Sequence, residues 1–299
     1  MAAIWRPVAG DAMPPVASGP EPLRTVPIES ASDPRVADYR DVREADLRVA
    51  DGLFVVEGRL NVKRLLCGSR FRTRSVFVNR AALAALRAPL ERFAGTVFVA
   101  EPAVLAQVVG YEMHRGCLAV AERGGREPLA SALAGAETGS GARLWLGLEG
   151  VANPENVGGS FRNALAFGAD RVLIGPRCAD PLYRKSVRVS MGAALRIPFV
   201  AADGLARTAA ALRAAGFCVT ALCTARNALP LHDFSPPSQR IALWVGSEGE
   251  GLPAEALAAA DVRLTIPMAP GVDSLNAATA AGIALHQLAR QLGYLADPA

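Results

Sequence analysis

From residue 144 to residue 292 the chain alternates short apolar, β-prone runs with runs of helical period. Strands are expected at 144–148, 171–174, 197–200, 217–222, 241–245 and 262–266. Helices are expected at 158–167, 182–191, 204–215, 253–258 and 276–292. Such alternation specifies an α/β fold, a parallel sheet covered by helices. Sheets of that kind bind ligands beyond the carboxyl ends of their strands. The last unit is the sharpest. Leu264, Thr265 and Ile266 run into Pro267, which cannot donate to a ladder. The following loop holds Pro270, Gly271, Asp273, Ser274 and Asn276. Ala277, Ala280, Ala281, Ala284 and Leu288 then recur at helical spacing. Ser and Asn just before a helix satisfy its unpaired N–H groups, so by themselves they read as a cap.

Two further stretches repeat this logic. The run Ile241 to Val245 opens into Gly246-Ser247-Glu248-Gly249-Glu250-Gly251, where glycine permits positive φ and close approach of backbone to a ligand. The segment LWLGLEGVANPENVGGSFRNALAFG (144–168) again runs strand, polar loop, helix. Its helix is expected from near Gly158 to Gly168, with Arg162 in the second turn. Taken in order, NPENVGGSFRNA, VGSEGEGL and IPMAPGVDSLNAATAAGIAL resemble the three motifs of the SpoU/TrmH branch of the SPOUT RNA methyltransferases. The interval from Gly246 to Ile266, and from there to Leu275, is the one that family uses for backbone contacts to its cofactor. The resemblance is strong over 140–292 and looser over 36–125.

The resemblance implies S-adenosylmethionine as cofactor, held by backbone around Leu222, Gly246, Ile266, Met268 and Leu275. It implies transfer of a methyl group to a ribose 2′-hydroxyl of structured RNA, ribosomal or transfer, with no metal. The positions matching the family's functional ones are Asn156, Arg162, Glu248, Ser274 and Asn276. Arg162 matches the residue assigned there as general base. A guanidinium with a pKa above about 12 is a poor base, and orienting the hydroxyl and the neighbouring phosphate is the less costly role. Glu248 is expected to hold Arg162 or Asn156. The family also implies a deep trefoil knot in the C-terminal domain, against general rules of chain topology, and a homodimer joined through the final helix and the helix after Asn156. Ala277, Ala281, Ala284 and Leu288 would form a close-packing face, with Ile283, Leu285 and Leu292 leaving the helix apolar nearly all round.

The rest of the chain divides by composition. Residues 1–35 are rich in Pro and Ala, an expected largely irregular arm, some of it along the body, without the apolar core of a signal peptide. Residues 36–123 read as a small α/β domain, with one or two helices over 36–49 and strands at 53–56, 75–78, 96–99 and 117–121. FVVEGRLNVKRLL and GYEMHRGCLAVAER resemble the substrate-binding domain of SpoU-type enzymes, which is similar to small ribosomal proteins that bind RNA. Residues 124–142 read as a linker with at most a helical turn, and 143–299 as the methyltransferase domain. Between Arg59 and Arg80 there is no Asp or Glu. Arg59, Lys63, Arg64, Arg70, Arg72 and Arg74 there, with Arg184 and Arg188 later, are the candidate RNA contacts, though a basic run is also the ordinary look of a solvated face.

Other classes fit less well. A dinucleotide-binding oxidoreductase wants G-x-G-x-x-G, which ENVGGSFRNA lacks. A base-methylating relative is disfavoured by the NPENVGG…RNA motif. A non-catalytic RNA-binding protein of the same fold would be expected to lose Arg162, Glu248 or Asn276, and all are present. The 5 cysteines show no metal-type pairing and are expected as reduced thiols. No apolar run is long enough to span a membrane, and a cytoplasmic location is expected. His286 is expected at an interface or in the core, and His114 is a candidate RNA contact.

Overall fold

A computed structural model describes residues 23–40, 52–113, 116–125, 127–137 and 143–295. The N-terminal part comprises β1 (Thr25–Pro27), β2 (Leu53–Glu57), α1 (Arg59–Gly68), β3 (Thr73–Val78), α2 (Arg80–Ala85), α3 (Arg87–Leu90), β4 (Thr96–Val99), α4 (Pro102–Val109) and β5 (Cys117–Glu122). Its five strands lie in the order β1-β4-β3-β5-β2. The inner strands are buried on both faces, so they read as near-continuous apolar runs. Part of the expected arm lies along the body as a short strand. Thr25–Pro27 pairs with β4 and Ile28 is buried, because an edge strand needs only a short extended segment beside an open ladder. The helix expected over 36–49 is replaced at its start by a 3-10 turn, Pro34–Tyr39, and residues 41–51 lie outside the described ones.

The supposed linker contains α5 (Leu129–Glu137). Ala132, Leu133 and Ala136 are buried against the second sheet, so tertiary burial overrides the weak local signal of a Gly-rich stretch.

The second sheet is all parallel: β6 (Arg143–Leu148), β7 (Arg171–Ile174), β8 (Phe199–Ala201), β9 (Cys218–Leu222), β10 (Leu229–Pro230), β11 (Arg240–Val245) and β12 (Val262–Thr265), ordered β10-β12-β9-β11-β6-β7-β8. Its helices are α6 (Pro154–Ala166), α7 (Arg184–Val189), α8 (Leu205–Ala214), α9 (Ala254–Ala259) and α10 (Ala277–Gln291). Leu144, Leu146 and Leu148 of β6 face α6 and α10 through Val157, Phe161, Ala284 and Leu288. Trp145 and Trp244 point to the opposite face, against α5, α8 and α9. The strict alternation along β6 thus feeds two cores.

The two sheets share packing. Leu182, Val187 and Leu195 of the second part join the core beneath α1 and α2. Ser69 Oγ donates to Leu195 O at 3.1 Å, and Arg123 Nη2 donates to Asp180 Oδ2 at 2.5 Å. Among the described residues no helix is long and apolar enough to cross a membrane.

Candidate active site

The loops that follow β9, β11 and β12, the last two carrying the second and third motifs, converge at the carboxyl edge of the sheet. They enclose a cavity of about 460 Å³. Leu222, Gly246, Ile266, Met268 and Leu275 all line it, together with Glu248 and Ser274. Gly246 is irreplaceable for a steric reason. A Cβ there would lie 2.2 Å from the Gly251 carbonyl carbon and 2.3 Å from Leu252 N. The loop folds back on itself through the Ser247–Gly251 bridge, and only a bare Cα leaves room. Glu248, Glu250 and Asp273 place carboxylates around the cavity, an environment suited to a cationic ligand.

The first motif enters earlier than expected. Asn153 caps α6 by accepting from Glu155 N at 2.9 Å, with Pro154 at the first helical position. The helix therefore starts at Pro154, not near Gly158. Asn156 is a buried first-turn residue rather than a loop residue, and Arg162 moves to the third turn.

Asn276 is the N-cap of α10: its Oδ1 accepts from Thr279 N at 3.1 Å. That bond fixes the amide's orientation, so its Nδ2 donates to Asn156 Oδ1 at 2.8 Å. Two helix starts that are distant in sequence are thereby tied together. Among the described residues Glu248 bonds neither Asn156 nor Arg162. Asn276, expected to meet the substrate ribose or to cap the final helix, does cap it, and its bond to Asn156 is of the kind expected of Glu248.

Arg162 does not line the cofactor-type cavity. It lies on an adjoining groove of about 840 Å³ with Phe167, Val189, Ile266, Pro267, Thr279, Gly282, Ile283 and His286. Ile266 borders both spaces. The helix α10 divides them: Ala277 and Ala280 face the cavity, Ala278, Thr279, Gly282 and Ile283 the groove.

The small face of α10, for which burial in its own domain is the alternative to a subunit contact, is used inside the chain. Ala277, Ala281, Ala284 and Leu288 are all buried, as are Leu285 and Leu292, and only Ile283 of the expected apolar surround is exposed, at 41%. The partner is α6, where a Cβ on Gly159 would lie 2.8 Å from the Ala278 Cβ. A methyl added to Gly282 would lie 2.8 Å from Asn163 Nδ2, which donates to Ala278 O at 2.7 Å. Asn163 was missed in the sequence, although it directly follows Arg162 in the motif. Also missed was Glu149, a buried carboxylate whose Oε2 accepts from Leu205 N at 2.9 Å, at the start of α8. Its signal was a lone acid ending an apolar strand.

The basic residues separate into kinds. Arg72 pairs with Glu122 at 3.1 Å and Arg74 with Asp38 at 3.5 Å, acids supplied by other segments. Arg184 is no free contact: its Nη1 donates to Glu57 Oε2 at 2.7 Å and to Tyr111 Oη at 2.6 Å, bridging the two sheets. Arg70 lies over the rings of Phe71 and Phe199, 4.7 and 4.5 Å from their centroids, and burial holds its pKa below the ordinary value. Lys63 and Arg188 are exposed, while Arg59 and Arg64 are partly covered. His286 is exposed with its ring edge-on to Phe167 at 5.3 Å, and His114 lies outside the described residues. All 5 cysteines are free, and no cluster of metal-ligating side chains occurs among the described residues.

A model of the SpoU rRNA methylase family matches residues 143–286. An uncharacterized tRNA/rRNA methyltransferase of Mycobacterium tuberculosis is 41% identical over 280 residues, 92% of this chain and 95% of its own. The 23S rRNA (guanosine-2′-O-)-methyltransferase RlmB of Ralstonia nicotianae is 34% identical over 189 residues, 62% of this chain and 74% of its own. The AdoMet-bound rRNA methyltransferase of Sinorhizobium meliloti has a similar crystal structure, with a TM-score of 0.75 and 25% identity, covering 90% of this chain and 98% of that one. A relative 41% identical over 92% of the chain, with the family model matching the second sheet, decides the matter: the chain belongs to the SpoU rRNA methylase family.

Proposed function

We propose that this protein is an S-adenosylmethionine-dependent RNA methyltransferase acting on a ribose 2′-hydroxyl of ribosomal or transfer RNA. The observation that carries the reading is the cavity of about 460 Å³, which Leu222, Gly246, Ile266, Met268 and Leu275 all line. Bare backbone at Gly246 lets the loop fold back into the shape that walls the cavity, and the carboxylates of Glu248, Glu250 and Asp273 suit a sulfonium and an ammonium group. The bound cofactor would supply an electrophilic methyl group. Leu222, Gly246, Ile266, Met268 and Leu275 would hold it, with Ile266 and Met268 as the apolar wall.

The residues around the cavity bind and orient. Ser274 faces the cavity from the loop before α10 and would meet the substrate ribose. Arg162, always charged, would hold the hydroxyl and the adjoining phosphate through its planar fork. Asn156 and Asn276 keep the two helix starts in register, so they act on geometry rather than on the reacting atoms. Arg59, Lys63, Arg64, Arg70 and Arg188 would contact the RNA backbone.

We further infer a homodimer. Arg162 lies outside the cavity, on a groove whose exposed apolar element is Ile283. A second copy filling that groove would bring Arg162 to the partner's cofactor. The trefoil knot belongs to the same reading. It is supported by α10 returning from β12, at the sheet's far side, to pack on α6 beside β6 and β7.

The test is transfer of labelled methyl groups to unmodified ribosomal and transfer RNA transcripts, followed by digestion to nucleosides. The label should appear in 2′-O-methylnucleosides. Label confined to bases, or none despite bound cofactor, would defeat the reading.

A further inference from the structure

Three arginines lie on elements that pack on one turn where the N-terminal part rests on the methyltransferase domain. Arg64 is on α1, Arg162 on α6, and Arg196 closes the 3-10 turn Ala193–Leu195 that follows α7. Both α1 and α6 pack on that turn. The seating is specific. Ser69, at the end of α1, bonds the carbonyl of Leu195, the residue before Arg196. A Cβ on Gly192 would lie 3.0 Å from Arg64 Cδ, so α1 sits directly on bare backbone. Gly192 has φ 78, and Met191 before it has φ 53. A non-glycine residue held there costs on the order of 1–3 kcal/mol, and such positions cluster where geometry serves a site. The two left-handed residues reverse the chain after α7 and bring Arg196 to α1.

Charge sets this cluster apart from the other arginines. Arg72, Arg74, Arg123 and Arg184 each have a carboxylate within ion-pair distance. Among the described residues none lies that close to Arg64, Arg162 or Arg196. Partial burial, and after it the fields of Arg196 and Arg162, hold the pKa of Arg64 below its ordinary value. Water reaches Arg162 and Arg196 and screens part of their repulsion, and a bound anion would relieve the rest. Arg162 also lines the groove beside the active cavity, so the anion would sit at the edge of the reaction centre.

We propose that Arg64, Arg162 and Arg196 form a clamp for one RNA backbone phosphate next to the ribose to be methylated. The inference rests on the RNA reading above and deepens it. The N-terminal part, through Arg64, then orients the target nucleotide as well as capturing RNA. Arg64 and Arg196 are positioning residues, acting through the phosphate on the placement of the hydroxyl. Three planar forks suit the oxygens of a phosphodiester.

The test uses the full chain and unmodified ribosomal and transfer RNA transcripts. The variants are Arg64→Gln, Arg196→Gln, the double variant and Arg196→Lys, with Arg87→Gln as control because Arg87 is exposed and paired with Glu91 at 2.7 Å. Adenosylmethionine affinity should stay at the wild-type value throughout. The double variant should lower the slope of log affinity against log salt by roughly 0.7–0.9, one phosphate contact. Each Gln variant should lower kcat/KM for RNA roughly ten-fold, as loss of a charge-assisted hydrogen bond does. Arg196→Lys should keep the slope yet lose part of the turnover, since Lys has charge without the fork. Should Arg64→Gln melt early, exposed Arg196 carries the test alone. A wild-type slope and kcat/KM in Arg196→Gln would overturn the clamp and leave the RNA reading standing. An equal slope change in Arg87→Gln would also overturn it, as diffuse surface charge. A wild-type chain that binds neither transcript at any salt concentration would overturn both.

Discussion

The cavity and the groove on the two sides of α10 are built by different means. The cavity is lined by the glycine-rich loop after β11, by strand ends, and by Met268 and Asp273 to Leu275 of the loop before α10. The groove is walled by side chains from α6 and α10, with Arg162 on its border. The first is complete within one chain. The second is an exposed surface whose chemistry requires something laid against it. On the proposed reading the difference teaches that cofactor binding and substrate handling would be separable in this fold, with Ile266 as the shared wall.

That division can be broken from either side. The largest effect is expected from Arg162→Ala, which should lower turnover about 100- to 1,000-fold, as removal of a preorganised polar contact to the reacting groups does. Adenosylmethionine affinity measured by calorimetry should not change, and Arg162→Lys should fail as well because the fork is lost. Equal loss of both quantities would merge the two compartments into one. Gly246→Ala attacks the other side. Its methyl group meets Gly251 and Leu252 backbone, and overpacking of this kind costs about 3 kcal/mol, read as weakened cofactor binding. RNA binding at fixed salt should be retained.

Two smaller effects sharpen the comparison. Ile283→Ser removes the exposed apolar contact of the groove, and full burial of such a side chain is worth about 2 kcal/mol. Sedimentation should show weaker self-association, with the cofactor affinity unaltered. Asn276→Ala should cost about 1 kcal/mol of stability as a lost N-cap. Asn276→Asp should keep the cap but oppose two oxygens at Asn156, so its melting temperature should stay nearer wild type while turnover falls. If both variants behave alike, the Asn156 bond has no part in the site.

Much of the cavity was legible in the sequence, and the reason is physical. Backbone recognition demands glycine at a fixed place, such as Gly246, and a strand broken on time, as by Pro267. Those requirements are local, so they leave a local trace. The groove and the seam between the sheets were poorly legible because they depend on partners far apart in sequence. Arg184 looks like any basic helix residue until Glu57 and Tyr111 are brought to it. Arg72 and Arg74 look unopposed until Glu122 and Asp38 arrive from other segments. The helix Leu129–Glu137 gains its stability from burial of Ala132, Leu133 and Ala136 rather than from its own Gly-interrupted sequence. The final helix shows the same limit. Its small face was visible, but that α6 of the same chain covers it was not, because small residues favour any close neighbour.

The central claim is that the cofactor cavity of one copy works with Arg162 of another. The direct measurement is complementation between two inactive variants, Arg162→Ala and Gly246→Trp. Each alone should transfer almost no methyl groups to RNA. After subunit exchange, one junction of the mixed dimer has an intact cavity and an intact Arg162, so activity should return in part. No rescue, with exchange demonstrated by mixed-tag capture, or a monomer at the concentration of the assay, would contradict the claim.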